Sequence, residues 1–91
     1  MTVLLYFKGV RKMKKTIKLT QFEDVKNFVK AAGGCNFDVD LCYNRIVVDA
    51  KSILGVLSLD LSKVLTVEYY GHNDKLEEMI NAYAAAWKSI F

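Results

Sequence analysis

Residues 14–20 alternate between two faces, with Lys15, Ile17 and Leu19 on one side and Lys14, Thr16, Lys18 and Thr20 on the other, which predicts a half-buried strand. The period then lengthens. Phe22, Val25, Phe28, Val29 and Ala32 recur at three- and four-residue spacing, and this stripe predicts a helix. Thr20 or Gln21 precedes it, Glu23 and Asp24 occupy the first turn where the helix dipole favours acid, and Gly33-Gly34 ends it. Alternation returns with Phe37, Val39, Leu41 and Tyr43 inward and Asp38, Asp40 and Cys42 outward. Tyr43-Asn44-Arg45-Ile46 reads as a tight hairpin, although Arg is a less comfortable turn residue than Gly. Ile46, Val48 and Ala50 then form the inward face of a third strand.

A short apolar helix opens at Ser52, a residue suited to cap it, and residues 64–70 give a fourth strand with Leu65, Val67 and Tyr69 on one side. The final segment carries the longest helical stripe: Leu76, Met79, Ile80, Tyr83, Trp87 and Ile90, capped by Asn73 or Asp74, with Glu77 and Glu78 early and Lys88 near its negative end. Strand, helix, two strands, helix, strand, helix is the order of an α+β open sandwich, with three helices packed on one face of a four-stranded antiparallel sheet.

Composition narrows this further. A chain of 91 residues holds one core, and 53% hydrophobic residues with 25% charged ones and no proline describe a compact fold. The net charge of +3 is uneven: Lys8, Arg11 and Lys12 precede Met13, and the 10 remaining basic residues balance 10 acidic ones. A neutral domain of this kind excludes a nucleic-acid binder that relies on neutralising phosphates. Cys35 and Cys42 fall seven residues apart in what reads as one strand, roughly 23 Å at about 3.3 Å per residue, beyond disulfide reach. Two unpaired cysteines suit a reducing cytoplasm, and with a single histidine they make no metal site. Residues 1–12 read as an N-terminal extension, either a translation start set upstream of Met13 or, as the alternative, a functional arm added as an edge strand or a turn of helix, and residues 13–91 as the domain. The apolar run Val3-Leu4-Leu5-Tyr6-Phe7 is too short for a signal peptide or a membrane helix, so no membrane partner is expected.

The stretch with the most to say about function is Ala50, Lys51, Ser52, Ile53, Gly55, Ser58 and Leu59. It resembles the regulatory-serine segment of the HPr phosphocarrier family, in which an Ala-Lys-Ser-Ile-x-Gly-x-x-Ser-Leu run opens the second helix and its serine is the target of a dedicated kinase. The resemblance runs without a gap from about Lys15 to Ala84, through Phe28-Val29-Lys30 and the Asn44 turn. It implies the HPr strand order 1-4-2-3, which periodicity alone does not give. It further implies that Lys51, Ile53, Leu54 and Leu57, with Gln21, belong to a surface for protein partners, an HPr-type serine kinase or a transcriptional regulator among them.

One departure redirects the functional reading. The family's His-x-Arg-Pro motif falls on Gln21-Phe22-Glu23-Asp24. Gln21 has no imidazole to accept a phosphoryl group, and Glu23 and Asp24 oppose the approach of an anion. The catabolite-repression HPr-like proteins similarly carry Gln there but keep the arginine. Asp60 stands where the family commonly has Gly. The resemblance therefore implies a member of the sugar phosphotransferase system family that is no phosphocarrier and no enzyme, a regulatory or binding module without cofactor. The alternative is an interaction or assembly domain on the same fold, unrelated to sugar transport. Ser52 keeps two readings, a plain N-cap and a regulatory phosphoacceptor. His72, the lone histidine, reads as a surface loop residue. No Ser-His-Asp set and no glycine-rich phosphate loop is present.

Overall fold

The computed structural model describes residues 11–85. Along the chain run β1 (Lys12–Ile17), α1 (Phe22–Gly33), β2 (Val39–Tyr43), β3 (Ile46–Asp49), α2 (Ile53–Leu57), β4 (Leu65–Tyr70) and α3 (Asp74–Ala82). The strands form one antiparallel sheet in the order β1-β4-β2-β3, as the resemblance implied. Register follows from side-chain alternation: Lys15 lies opposite Val67, Leu41 opposite both Val67 and Val48, and Ile17 opposite Leu65. The buried strand residues Ile17, Val39, Leu41, Leu65, Val67 and Tyr69 share one core with Val25, Phe28 and Ala32 of α1, Val56 of α2, and Leu76 and Ile80 of α3. Each fully buried aliphatic side chain contributes about 1.5–3 kcal/mol, so this single layer between sheet and helices is what the alternation exists to build.

Two positions needed a left-handed or glycine-like backbone, and each has the right residue. The β2–β3 hairpin turns at Asn44 with φ 54°, while Arg45 keeps an ordinary negative φ, so its lack of glycine character costs nothing. Gly71 has φ 143°, and a Cβ there would stand 2.5 Å from the Phe37 ring.

Four expectations are corrected. Cys35 is not in a strand: it follows α1, is buried, and bonds through Sγ to the carbonyl of Ala31, whereas Cys42 lies in β2. Both thiols are free. Ile46, assigned inward, is 54% exposed because β3 is an edge strand and its first residue projects past the helices. Phe22, assigned to the inward stripe of α1, is 56% exposed because the first helical residue precedes the turn that reaches the core. Finally, α3 stops at Ala82 instead of continuing through Tyr83 toward Trp87 and Ile90. Lys18 N donates to the Tyr83 carbonyl at 2.8 Å, Ala85 N donates to the Thr16 carbonyl at 3.2 Å, and Ala84 bridges Ile17. The chain thus leaves the helix to pair with the outer edge of β1, a tertiary gain that outweighs the helix preference of an alanine-rich run. Val3 to Phe7, Trp87, Lys88 and Ile90 lie outside the described residues.

Candidate functional site

The residues singled out by sequence fall at the start of α1 and along α2 with the loop that precedes it. Gln21 is exposed and extended, with φ −129° and ψ 158°, and stands at the N-cap of α1. Its environment is set by Asp24. One oxygen of the Asp24 carboxylate accepts from Thr20 N at 3.1 Å, Thr20 Oγ1 at 3.0 Å and Gln21 N at 3.2 Å. The Thr20 backbone amide, helped by the Thr20 hydroxyl and Gln21 N, outweighs the opposing effect of burial and holds this carboxyl below its ordinary value. The Thr20 and Gln21 amides at the entry to the helix are therefore answered by an anion of the chain's own, whose charge also opposes a second anion beside the first turn.

Beside this helix start lies a shallow groove lined by Lys18, Leu19, Thr20, Gln21, Phe22, Leu57, Leu61 and Ser62. Lys18 Nζ donates to the Leu61 carbonyl at 3.2 Å and ties its two walls together. Phe22 forms one apolar lip, with Lys26 Nζ 5.7 Å from its ring centroid and 3.7 Å from Glu23 Oε1. Leu57 forms the other, at the end of α2. Phe22 is the site residue that sequence reasoning missed as such, and the Phe-Lys spacing of four on one helix face was the available signal.

Ser52 is exposed and caps α2, its Oγ accepting from Gly55 N at 3.2 Å. Lys51 does not project freely: its Nζ donates to the Cys35 carbonyl at 3.1 Å and its amide to Asp49 Oδ1 at 2.9 Å, so it braces the loop against the end of α1. Ile53 is half-buried against the core, whereas Leu54 is 78% exposed. The groove thus joins Gln21 with Leu57, and its lining includes neither Lys51 nor Ser52. His72 is remote from all of these in sequence and lies exposed after β4, with Nε2 2.8 Å from Asp74 Oδ1.

A second polar arrangement lies under the sheet. Glu77 of α3 accepts from Lys15 Nζ at 2.9 Å and from the Tyr69 hydroxyl at 2.5 Å. Burial, and then the bond to Glu77, push the Tyr69 hydroxyl well above the ordinary tyrosine range. Burial pushes Glu77 up, but Tyr69 and Lys15 together outweigh it and hold the carboxyl low. Lys15, which the alternation placed on the inward face, is admitted there because of this partner. Among the described residues no group of His, Cys, Asp and Glu is placed to hold a metal ion, and no helix is long and apolar enough to cross a membrane.

Comparison with known proteins agrees with this geometry. Residues 22–89 match the family model described as the PTS HPr component phosphorylation site. No curated protein matches the sequence. Among solved structures, the chain is similar to the phosphocarrier protein HPr from Bacillus anthracis str. Ames, with TM-score 0.64, 24% identity, and coverage of 85% of this chain and 99% of that one. It is similar also to HPr-C-His from Thermoanaerobacter tengcongensis, with TM-score 0.64, 22% identity, and coverage of 79% and 92%. At these identities the likeness is one of fold.

Proposed function

We propose, from the premise that this chain belongs to the HPr family of the phosphotransferase system, that it is a regulatory binding module which carries no phosphoryl group and catalyses no reaction. Proteins of this family work by docking on other proteins. The observation that supports loss of the carrier step is the start of α1, where Gln21 replaces a nucleophile and the Asp24 carboxylate takes the amides of Thr20 and Gln21. A phosphoryl group arriving here meets two negative side chains, Glu23 and Asp24, and no cation supplied by the motif. In this reading the module acts in the cytoplasm, where both its thiols stay reduced, and a protein partner covers Gln21, Phe22, Leu54 and Leu57. Lys51 and Ile53 support this surface from beneath.

The experiment is incubation with phosphoenolpyruvate and the general phosphotransferase enzyme. No acid-labile phosphate should form on the native chain, and Gln21→His alone should recover little while Glu23 and Asp24 remain. Efficient labelling of the native protein would overturn the reading.

Ser52 is the proposed point of regulation. Ser52 is exposed, and phosphate on its hydroxyl adds about two negative charges two residues from the exposed Leu54. Treatment with an HPr-type serine kinase should add one phosphate, found by mass spectrometry at Ser52 and lost in Ser52→Ala. An unmodified native chain would leave Ser52 as a helix cap only. The exposure of Phe22 and Leu54 also favours a second reading, an assembly domain with no part in sugar transport. Partner capture that is indifferent to Ser52 phosphorylation would favour it.

A further inference from the structure

We propose that the free edge of β3 is a self-association surface, on which a second copy of this chain pairs its own β3 antiparallel about Val47. Among the described residues the edge is open and apolar: Ile46 and Val47 are 54% and 60% exposed, and β3 ends the sheet opposite β1. Unpaired edges of this kind are normally blunted by charge, proline or a bulge, and the stretch Ile46-Val47-Val48 has none of these.

The backbone fixes the register. Tyr43 and Ile46 close the two-residue hairpin, and Ala50 N donates to the Val39 carbonyl at 2.8 Å. In an antiparallel ladder bonded and non-bonded pairs alternate, so Ile46, Val48 and Ala50 point their main-chain groups at β2 while Val47 and Asp49 point theirs outward. A two-fold axis through Val47 therefore lets each Val47 donate to and accept from its counterpart. It places Ile46 against Val48 of the second copy and Arg45 against Asp49.

Charge agrees with that register. Arg45 pairs with no carboxylate among the described residues. Asp49 uses one oxygen on the Lys51 amide and keeps the other, and Asp40 lies directly beside it in the sheet. Asp49 shares the outer sheet face with Val47, and Arg45 is the exposed turn residue next to β3, so the two-fold register brings the Arg45 guanidinium of each copy to the Asp49 end of the other, one such meeting on each side of the axis. The strand α2 flanks is not obstructed, because α2 packs on the helix side of β3, with Gly55 against Val48. A second copy is favoured over a foreign strand because the charges are self-complementary in the same register that satisfies the backbone.

The test is sedimentation velocity of the full chain from about 10 µM to about 1 mM, the range expected of so short a contact. Its mean mass should climb from one protomer toward two. Val47→Pro removes an outward N–H and no ladder bond of its own sheet, so circular dichroism should stay native while the dimer is lost. Arg45→Asp should weaken association roughly tenfold by opposing like charges, and adding Asp49→Arg should restore it. A chain that stays monomeric throughout the range overturns the proposal. So does a dimer that persists in folded Val47→Pro, or, if that variant fails to fold, one that ignores the charge reversals.

Discussion

At Gly71 the chain leaves β4 with φ 143°, and the ring of Phe37 occupies the space a side chain would need. That ring is itself held, stacked on Tyr69 at 5.9 Å between centroids, so it cannot swing away without disturbing the buried hydroxyl on Glu77. Gly71→Ala should therefore cost roughly 1–3 kcal/mol, the sum of an unfavourable backbone and a displaced ring. Urea denaturation checks it, and a midpoint equal to wild type would mean that the ring yields freely. Asp24 is the other residue whose neighbours define it. Asp24→Ala should destabilise by about 1 kcal/mol at neutral pH, the usual worth of a capping interaction. Its carboxyl is held low by folding, so its contribution is complete above the ordinary aspartate range and disappears as pH falls through the lowered value. Melting curves of wild type and variant should separate at pH 7 and converge in acid below the ordinary aspartate range.

Among the elements, those with a long uninterrupted period were legible and those decided by a neighbour were not. The buried alternation of Leu65, Val67 and Tyr69 and the stripe of Val25, Phe28 and Ala32 identified β4 and α1 because each places a full apolar face against one core. Periodicity does not say where a face stops being covered. Phe22 and Ile46 keep the phase of their elements but lie at the ends, beyond the opposing layer. Nor does it see a competing partner: Tyr83 and Ala84 continue the pattern of α3, yet their main chain is claimed by Lys18, Thr16 and Ile17 across the molecule. The candidate site shows the same division. Ser52 could be located as a helix cap from local sequence and the cap of α1 narrowed to Thr20 or Gln21, whereas the groove between Gln21, Phe22 and Leu57 joins residues far apart in the chain. The bracing of Lys51 on the Cys35 carbonyl was likewise invisible, because it depended on Cys35 lying after α1.

On the scale of the whole molecule, the open sheet face carries a row of carboxylates. Asp40 lies opposite Asp49 on one side and Glu68 on the other. Burial, and then Asp38, Asp49 and Glu68, raise the Asp40 carboxyl above its ordinary value, with Lys12 only partly opposing them. A carboxyl raised by folding lowers stability above its folded value, and that penalty vanishes as pH falls through it. Asp40→Asn should thus raise the melting temperature at pH 7 by about 2–5 °C, with the gain shrinking toward pH 4. A gain equal at both pH values would show that charge is not its cause. Glu68 behaves oppositely. Its bond to Lys12 holds it low, so this pair favours the fold at neutral pH and is lost on acidification.

The strap of Tyr83, Ala84 and Ala85 along β1 also sets the valence of any assembly. A sheet with two open edges can add copies at both, and such growth has no natural end. Here the Ile17 end of β1 is already paired from within the chain, and its other half carries Lys12 and Lys14, long charged side chains held by Glu68 that a second strand would have to displace. Among the described residues only one edge is left to share, and a two-fold pairing consumes it in both copies. Association through β3 should stop at two, with no trimer or fibre at any concentration, so the strap acts as a terminator that turns an aggregation-prone architecture into a closed one.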